Sequence, residues 1–274
     1  MLEIAGMARS TYYYWLKRLK FQDKYECAKR EVKAIFEESH GRYGYRRITA
    51  EMHRRGYPLN HKTIRKLMLM IGIKCLIRKK KYRSYKGEVG LVADNVLKRN
   101  FTASSPLCKL ATDVTQIEIK GRKCFLSPVI DLFNGEILSY AVSFSPDLKL
   151  IKAMMDRLFE SVRKFNDGAI MHSDQGWQYQ HVYFRNILNE KGIIQSMSRK
   201  GNCLDNSVIE SFFGIMKSEL LYPNEFDSVE NFIEELDKYI VWYNDKRIKL
   251  KLGGMSPVEY RKISNKSINN LSNF

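Results

Sequence analysis

The chain has 274 residues, and its 44% hydrophobic and 12% aromatic content can fill the cores of two or three domains, which excludes a disordered chain. The formal net charge is +17, and residues 1–100 carry most of it, with 25 Lys and Arg against 9 Asp and Glu. So basic a segment indicates binding to nucleic acid, and a membrane protein is not expected because no apolar run approaches the ~18 residues of a spanning helix.

The cysteines are widely scattered and include no C-x-x-C pair. Isolated cysteines in odd number predict reduced thiols, with neither disulfides nor a zinc site, in a cytoplasmic protein. The N-terminal sequence MLEIAGMARS lacks the long apolar core of a signal peptide, which favours the same location. The five cysteines are Cys27, Cys75, Cys108, Cys124 and Cys203.

Residues 1–20 are predicted to be the end of a helix-turn-helix, with a turn around Gly6 and a basic, aromatic helix over 11–19. The first helix of such a unit is missing from the sequence. We therefore expect either that the natural product begins farther upstream or that this chain is one half of a longer fusion.

Residues 21–73 are predicted to form a helical DNA-binding domain. Two short helices, 46–55 and 61–70, flank the turn GYPLN, and Asn60 is the expected N-cap of the second. This arrangement is typical of a helix-turn-helix, and the high charge of the segment favours DNA contacts over the alternative of a solvated basic surface. The predicted DNA contacts are Arg46, Arg47, Lys62, Arg65 and Lys66.

Residues 74–105 are predicted to be a basic linker. The run IRKKKYRSYKG within them is too polar to pack into a core. Its lysines and arginines suit contacts with DNA phosphates.

The character of the sequence changes after Pro106, where β-rich runs begin. Three such runs are joined by hairpin turns at Gly121 and Gly135, and helical and strand patterns then alternate. This order is that of a ribonuclease H-like α/β core with a five-stranded mixed sheet, over residues 106–222. The predicted strands are 110–119, 124–132, 136–143, 169–173 and 193–196, and the predicted helices are 148–165, 178–191 and 206–221.

Residues 223–274 are predicted to hold an amphipathic helix over 227–243 and a basic tail. Arg247 lies in a turn-rich part of this tail and is a predicted DNA contact. From Lys262 onward the sequence is rich in Ser and Asn, which predicts a frayed terminus.

Three acidic residues stand where folding alone explains them poorly. Asp113 lies inside the first predicted strand of the core, where an unpaired carboxylate is costly to bury. Asp174 ends a buried strand, and active sites gather at the carboxyl ends of strands. Glu210 follows on a helix, after thirty-five intervening residues. Asp131 is the alternative to Asp113, but it stands at the end of a hairpin, so we favour Asp113.

These carboxylates are hard oxygen ligands, which suit magnesium or manganese. Two ions ~3.5–4 Å apart would activate a water or a 3′-hydroxyl and steady the leaving oxygen during an in-line attack on a phosphodiester. We therefore predict that Asp113, Asp174 and Glu210 are catalytic residues and ligands of two Mg²⁺ or Mn²⁺ ions.

Two polar side chains are predicted to support this site. His172 shares a strand face with Asp174, so it either lies near the metals or is an ordinary core histidine. Asn206 lies on the same helical stripe as Glu210 and is the second predicted supporting residue.

Three basic side chains are predicted to contact DNA beside the acids. Lys217 lies two helical turns after Glu210, where it would reach a phosphate, and a solvated lysine is the alternative. Arg199 and Lys200 lie in a Gly-containing loop before the same helix, which suits a grip on DNA.

Four stretches of the sequence, taken together with the spacing of Asp113, Asp174 and Glu210, resemble a known family. They are ATDVTQI, HSDQGWQY, DNSVIESFFGIMKSE and YNDKRIKLKLGGMSPVEY. They are similar to the insertion-sequence-three family of bacterial transposases, whose D,D(35)E core is similar to that of retroviral integrases. The resemblance extends from about residue 41 to residue 260. Leu110 departs from it where tryptophan is frequent, as does Lys249 where many members have histidine.

The resemblance implies a metal-dependent DNA transposase that nicks the ends of an insertion sequence and joins the freed 3′-hydroxyl to another phosphodiester. It implies double-stranded DNA as the partner, at the inverted-repeat ends and at the target, and a homo-oligomeric complex. It also implies fusion to, or cooperation with, the product of an upstream reading frame, OrfA. Two other functions stay open, a non-catalytic DNA-binding repressor and a structure-specific nuclease with the same metals.

Overall fold

The structure, a computed structural model, describes residues 8–19, 23–76, 93–199 and 203–271. The chain divides into two compact units, Met1–Leu76 and Ile77–Phe274. Among the described residues, no helix is both long enough and apolar enough to span a bilayer.

The first unit is helical, and its helices bury residues at the three- and four-residue spacing of an amphipathic helix. Val32 and Ile35 of α2 pack with Ile48 of α3 and Ile64 of α4, and all four side chains are at most 1% exposed. This apolar centre holds α2, α3 and α4 together and leaves their charged faces outward. The helices are α1 (Arg9–Leu19), α2 (Glu26–Glu38), α3 (Tyr45–Arg54) and α4 (His61–Met70).

Helix α4 begins as the sequence predicts. Asn60 is its N-cap, and the Asn60 side chain accepts a hydrogen bond from the backbone N–H of Lys62 at 2.9 Å. This bond satisfies one of the donors that the first turn of a helix leaves unpaired.

We expect Asn60→Ala to lower the free energy of unfolding of the first unit by about 1 kcal/mol, because it removes this cap. Thermal or urea unfolding followed by circular dichroism measures the change. Asn60→Ser is the matched control, since serine caps about as well as asparagine and should keep the stability. Equal loss in both variants would contradict a capping role.

The second unit is built on a mixed sheet of six strands. Strand β3 is central, with β4 antiparallel along one edge and β1 and β2 antiparallel along the other. Strands β5 and β6 follow in parallel next to β1, so that β6 lies at the edge of the sheet. The strands are β1 (Lys109–Thr112), β2 (Thr115–Ile119), β3 (Arg122–Asp131), β4 (Ile137–Ser143), β5 (Ile170–Ser173) and β6 (Ile194–Met197).

The sheet has six strands where the sequence predicts five, because the first predicted strand is split. Thr112 pairs with Val129 and Thr115 pairs with Leu126, so the register continues unchanged across the break. Only two residues, Asp113 and Val114, lie outside the ladder.

Pro128 gives a physical reason for this break. In the register that joins β1 and β2 to β3, Pro128 stands opposite Asp113. The N–H of Leu132 donates to the carbonyl of Lys109. In an antiparallel ladder every second residue directs its backbone nitrogen to the same neighbouring strand, so the nitrogen of Pro128 also faces the edge formed by β1 and β2. Proline has no N–H to donate, and the ladder opens there.

Helices cover both faces of the sheet. On one face the core contains α8 and α9, with Phe212 and Tyr243 packed edge to face at 5.2 Å. On the other face it contains α5 and α7, with Met154 and Leu188 fully buried. The helices are α5 (Leu148–Ser161), α6 (Trp177–Gln180), α7 (Val182–Glu190), α8 (Ser207–Met216), α9 (Val229–Asp245) and α10 (Pro257–Leu271).

Several predicted helices have different ends in the structure. The helix predicted over 148–165 ends at Ser161, and the one predicted over 178–191 is divided into α6 and α7 by His181, whose side chain accepts the N–H of Tyr183. The helix predicted over 206–221 changes into a π-helical turn, Lys217–Leu221.

The segment predicted as a linker, 74–105, does not end where predicted. Its central part, 77–92, lies outside the described residues. Residues 93–105 pack against the core, and Leu97 is only 2% exposed within it. The core therefore includes residues from the 93–105 segment, which was predicted to belong to the linker because the surrounding sequence is polar.

The prediction of a frayed end after Lys262 is wrong for residues 262–271, which belong to α10. Ser256 and Glu259 form a capping box at its start, because the Ser256 hydroxyl accepts the N–H of Glu259 and the Glu259 carboxylate accepts the N–H of Ser256. Pro257 at the first helical position adds to this start signal, which outweighs the polar composition that follows.

Candidate active site

The break in the first strand places Asp113 at the middle of the sheet. One oxygen of its carboxylate accepts the N–H of Val114 at 2.7 Å. Burial, and next the charge of Asp174, hold the pKa of Asp113 well above its usual range, and the charge of Glu210 adds to the effect. Asp113 is therefore a partly buried acid that interacts electrostatically with both of the other predicted acids.

Asp174 lies next to Asp113 because of the pairing between two parallel strands. Ala111 of β1 pairs with His172 of β5, and the two acids each follow two residues later at the carboxyl ends of these strands. The N–H of Gly176 donates to the Asp174 carboxylate at 2.9 Å, while burial raises the pKa of Asp174. Each aspartate therefore accepts one backbone hydrogen bond, in surroundings that otherwise disfavour its negative charge.

Glu210 lies in the first turn of α8. Its charge acts on Asp113, so Glu210 lies within electrostatic range of Asp113. Within the described part of the chain, however, no group of three His, Cys, Asp or Glu side chains stands close enough to hold a metal ion. The two aspartates form the near pair, and Glu210 stands farther off.

The donor set fits a hard divalent cation. Carboxylate oxygens are the ligands that Mg²⁺ and Mn²⁺ prefer, and the backbone N–H groups on Asp113 and Asp174 leave further lone pairs of both carboxylates available. A cation would also relieve the repulsion and desolvation that raise the pKa of both aspartates. The acids that could hold it are Asp113, Asp174 and Glu210.

Lys217 lies beside the acids, as the helical spacing predicts. Its ammonium donates to the Thr115 hydroxyl at 2.8 Å. Burial lowers the pKa of Lys217, and the charge of Asp113 opposes this shift. The fully solvated lysine that the sequence left as an alternative is therefore not what the structure shows, whereas a DNA contact stays a prediction.

His172 and Asn206 are both buried close in sequence to the acids. His172 is fully buried, its Nδ1 lies 2.9 Å from the Ser196 hydroxyl, and burial lowers its pKa, so the ring is neutral near pH 7. Asn206 occupies the N-cap position of α8 without a capping hydrogen bond from its side chain. The Nε2 of His172 and the Oδ1 of Asn206 have no hydrogen-bond partner among the residues described.

Arg199 does not stand free beside the acids. Its guanidinium makes two hydrogen bonds to Asp205, at 2.9 and 3.0 Å, although its side chain is 59% exposed. The Asp205 carboxylate, just before α8, also accepts a hydrogen bond from Arg99. Lys200 lies outside the described residues.

Arg247 differs from its prediction as a DNA contact. Its side chain is 2% exposed, and its Nε and Nη2 donate to the two oxygens of Glu219 at 2.8 and 2.7 Å. The hydroxyl of Tyr239 donates to the same carboxylate at 3.0 Å. This arrangement ties the segment after α9 to the π-helical turn after α8 and leaves Arg247 no surface for a phosphate.

Asp131, the alternative third acid, is used by the backbone. Its two carboxylate oxygens accept the N–H groups of Leu107 and Phe133, both at 2.9 Å. These bonds fasten the turn after β3 and the segment before β1, which is a structural task at the opposite end of the strand pair from Asp113.

Two of the basic residues predicted to contact DNA in the first unit lie next to the ring of Tyr45. Arg46 and Arg65 stand 5.7 and 6.0 Å from the centre of this ring, and the ring of His61 lies 6.1 Å away. Lys62, Arg65 and Lys66 are exposed on α4, Arg46 is exposed on α3, and Arg47 is half-buried. The exposed faces of α3 and α4 therefore share a basic, aromatic surface.

The sequence did not point to three residues that contribute to the site. The Thr115 hydroxyl accepts the hydrogen bond from the Lys217 ammonium. The Asp205 carboxylate, just before α8, forms ion pairs with Arg99 and Arg199. Tyr179 is fully buried, its hydroxyl lies 3.4 Å from that of Thr112, and burial and then the charge of Asp113 raise its pKa. The alternation of β2 could have placed Thr115 on the inward face, but no local pattern marks the other two.

Comparison with known families assigns both units. Residues 103–203 and 210–264 match the family described as "Integrase core domain". Residues 22–81 match the family described as "HTH-like domain". The two integrase matches include Asp113, Asp174 and Glu210.

Three curated relatives align with the chain along most of their length. InsK of Escherichia coli strain K12, described as a transposase for insertion sequence element IS150, is 49% identical over 261 residues, which cover 95% of this chain and 92% of InsK. The transposase InsF for insertion sequence IS3A of the same strain is 32% identical over 268 residues, covering 95% and 92%. The transposase for insertion sequence element IS904 of Lactococcus lactis is 33% identical over 247 residues, covering 89% and 96%.

Two solved integrase cores are also similar. The catalytic core domain of HTLV-2 integrase, in complex with magnesium, aligns with a TM-score of 0.46 at 19% identity, over 58% of this chain and 98% of that chain. The catalytic core domain of BIV integrase aligns with a TM-score of 0.45 at 18% identity, over 60% and 99%.

Proposed function

This chain belongs to the insertion-sequence-three family of transposases, and from that premise we propose that it nicks the ends of an insertion sequence and joins the freed 3′-hydroxyl to another phosphodiester. The reaction is a polynucleotidyl transfer without a covalent protein intermediate. The acids Asp113, Asp174 and Glu210 are the catalytic residues in this proposal.

The observation that supports the proposal most strongly is the placement of Asp113 and Asp174. They follow paired positions of two parallel strands, and each is a partly buried carboxyl with a raised pKa. A fold gains no stability from two such acids side by side, so a function that needs them is the simpler explanation. Glu210 contributes the third charge from α8.

The acids hold two Mg²⁺ or Mn²⁺ ions in this proposal, which would activate the attacking hydroxyl and stabilise charge on the leaving oxygen. Asp113 and Asp174 are fixed by the rigid centre of the sheet, and Glu210 completes the set from its helix. Lys217 lies beside Asp113, where its ammonium would hold a phosphate next to the reacting one. His172, two residues before Asp174 on β5, supports the position of that acid, whereas the side chain of Asn206 makes no capping bond at the start of α8.

The test is a strand-transfer assay with the full chain and labelled oligonucleotides of the element's ends. We expect nicking and joined products with Mg²⁺ or Mn²⁺, and neither in EDTA. Cleavage that never leads to joining would instead identify a structure-specific nuclease. Binding to the ends without cleavage under any metal would identify a repressor and would overturn the proposal.

The first unit recognises DNA in this proposal, and the exposed lysines of α4 contact phosphates. We expect Lys66→Gln to weaken binding to all DNA sequences alike and to lower the slope of log K against log salt by about one unit. Fluorescence anisotropy over a salt series measures both. Lys33→Gln is the matched control, since Lys33 is exposed on α2 beside Glu37. An equal change of slope in both variants would contradict a specific role of α4.

The partners follow from the same proposal. Pairing two element ends with a target requires more than one active site, so we infer a homo-oligomer on double-stranded DNA, acting in the bacterial cytoplasm at the nucleoid. We also infer cooperation with, or fusion to, an upstream OrfA product. Light scattering of the chain with and without end DNA measures the number of subunits.

A further inference from the structure

We propose that Asp205 is a positioning residue that fixes the start of α8 and so sets the position of Glu210 relative to the two aspartates. The inference rests on the proposed function and adds to it a residue that touches neither metal nor DNA. It also assigns a role to residues 93–99, called here the strap, which lie before the first strand of the core.

Asp205 is a buried anion with an unusually complete set of partners. Its side chain is 0% exposed, and it accepts the backbone N–H and two guanidinium donors of Arg199. Arg99 donates to it at 2.7 Å and Asn95 at 2.9 Å. These bonds hold the pKa of Asp205 well below its usual range, chiefly through Arg199, so the carboxylate keeps its charge at any pH at which the protein is used.

The strap runs along the edge strand β6. The N–H of Leu97 donates to the hydroxyl of Ser196 at 3.1 Å, and the N–H of Met197 donates to the carbonyl of Asp94 at 3.3 Å. Leu97 itself is buried in the core. The strap therefore covers the open edge of the sheet, and Asn95 and Arg99 extend from it to Asp205.

The same framework reaches the strand that carries Asp174. The hydroxyl of Ser196, which accepts from the strap, lies 2.9 Å from Nδ1 of His172 on β5. The backbone and the charge of Asp205 both act on the His172 ring. One contiguous set of polar contacts thus joins the start of α8 to β5, two residues before Asp174.

Asp205 lies in a 3-10 turn, Cys203–Asn206, that leads directly into α8, where Glu210 occupies the first turn. Asn206 makes no capping bond, so the side chain at the N-cap does not fix the start of this helix. Asp205 does so instead, through the strap and Arg199. Partners that orient a metal ligand without touching the metal contribute roughly 10–100-fold to metal affinity.

The test measures Mn²⁺ binding to the full chain by electron paramagnetic resonance of the free ion, without any activity assay. We expect Asp205→Asn to weaken binding roughly 10–100-fold. In a Glu210→Gln background the same change should have no further effect, because its influence passes through Glu210. A merely structural role of Asp205 would weaken binding equally in both backgrounds, and that result would overturn the proposal.

A milder pair of variants covers the case in which Asp205→Asn does not fold. Arg99→Gln removes one donor to Asp205, and Lys98→Gln removes the same charge from the neighbouring, exposed position. Both residues have a left-handed backbone, with φ of 62° and 44°, so the backbone effect of glutamine is alike. We expect weaker Mn²⁺ binding only in Arg99→Gln, and equal binding in the two would overturn the proposal.

The outcomes also separate this inference from the proposed function. If the wild-type chain and its complex with end DNA bind no Mn²⁺, the proposed metal chemistry is wrong and the role of Asp205 falls with it. If the wild type binds and Glu210→Gln weakens binding, but Asp205→Asn and Arg99→Gln do not, only the positioning role is wrong.

Discussion

We expect Asp174→Asn to lower the rate of strand transfer by a factor of about 10²–10³ or more, because the proposed metals would supply much of the charge stabilisation in the transition state and this variant removes one of their proposed ligands. Binding to end DNA should be retained, since the first unit and the lysine side chains are untouched. Single-turnover assays on pre-nicked ends, with binding measured in parallel, separate the two effects. Unchanged strand transfer would refute the catalytic assignment.

The same variant should be more stable than the wild type when metal is absent. Burial raises the pKa of Asp174, and burial together with the charge of Asp174 raises that of Asp113. A carboxyl whose pKa rises on folding holds its proton more tightly in the folded state, so the free energy of unfolding falls as pH rises from the usual pKa through the raised one. Asparagine at position 174 has no such dependence.

Thermal unfolding in EDTA at pH 4 and pH 8 checks this sign. We expect Asp174→Asn to unfold at a higher temperature than the wild type at pH 8, with a smaller difference at pH 4. Asp167→Asn is the matched control, because Asp167 is exposed and its replacement should leave both the unfolding temperature and its pH dependence unchanged. Lower stability of Asp174→Asn at pH 8 would show that Asp174 serves the fold.

Arg247→Ala should have the largest effect on stability, a loss of about 3–5 kcal/mol in the free energy of unfolding. Arg247 and Glu219 are each only 2% exposed, and removing the arginine takes away the charged side chain that donates to both oxygens of this buried carboxylate. Urea unfolding of the full chain, followed by tryptophan fluorescence, measures the change.

A double variant tests whether the cost comes from the unpaired charge. Arg247→Met combined with Glu219→Leu replaces the pair with apolar side chains of similar volume, and we expect most of the stability to return. Lys238→Ala, which breaks an exposed pair with Glu235, should leave the unfolding midpoint nearly unchanged. If the double variant were no more stable than Arg247→Ala, lost packing rather than charge would be the cause.

Much of the core could be predicted because its signals are local. Alternating hydrophobic residues and turn residues predicted where the strands lie, and Asn60 predicted the start of α4. The pairing of β1 with β5 then places Asp113 and Asp174 side by side. The spacing of Lys217 from Glu210 on a helical stripe brought this lysine to the acids. In each case a periodic pattern of a few residues decides the outcome.

The remaining features depend on contacts between distant parts of the chain. Asp205 accepts a hydrogen bond from Arg99, which lies more than one hundred residues earlier in the chain. Arg247, after α9, donates to Glu219 in the π-helical turn that follows α8. An arginine in a turn-rich, basic stretch has the same local appearance whether it faces solvent or a buried glutamate. The start of α10 is a different case. The capping pattern of Ser256 and Glu259 is present in the sequence, but the prediction of a frayed end followed the polar composition of the tail instead.

Pro128 has a consequence for how the acid at position 113 is held. A proline in an inner strand normally weakens a sheet, since one rung of the ladder is lost at a cost of about 0.5–1.5 kcal/mol. Here the missing hydrogen bond lies opposite Asp113, while the residue pairs on both sides of it keep their register. The chain thereby releases Asp113 and Val114 from the ladder without inserting a loop, and the strands on both sides of the break restrain the carboxyl of Asp113.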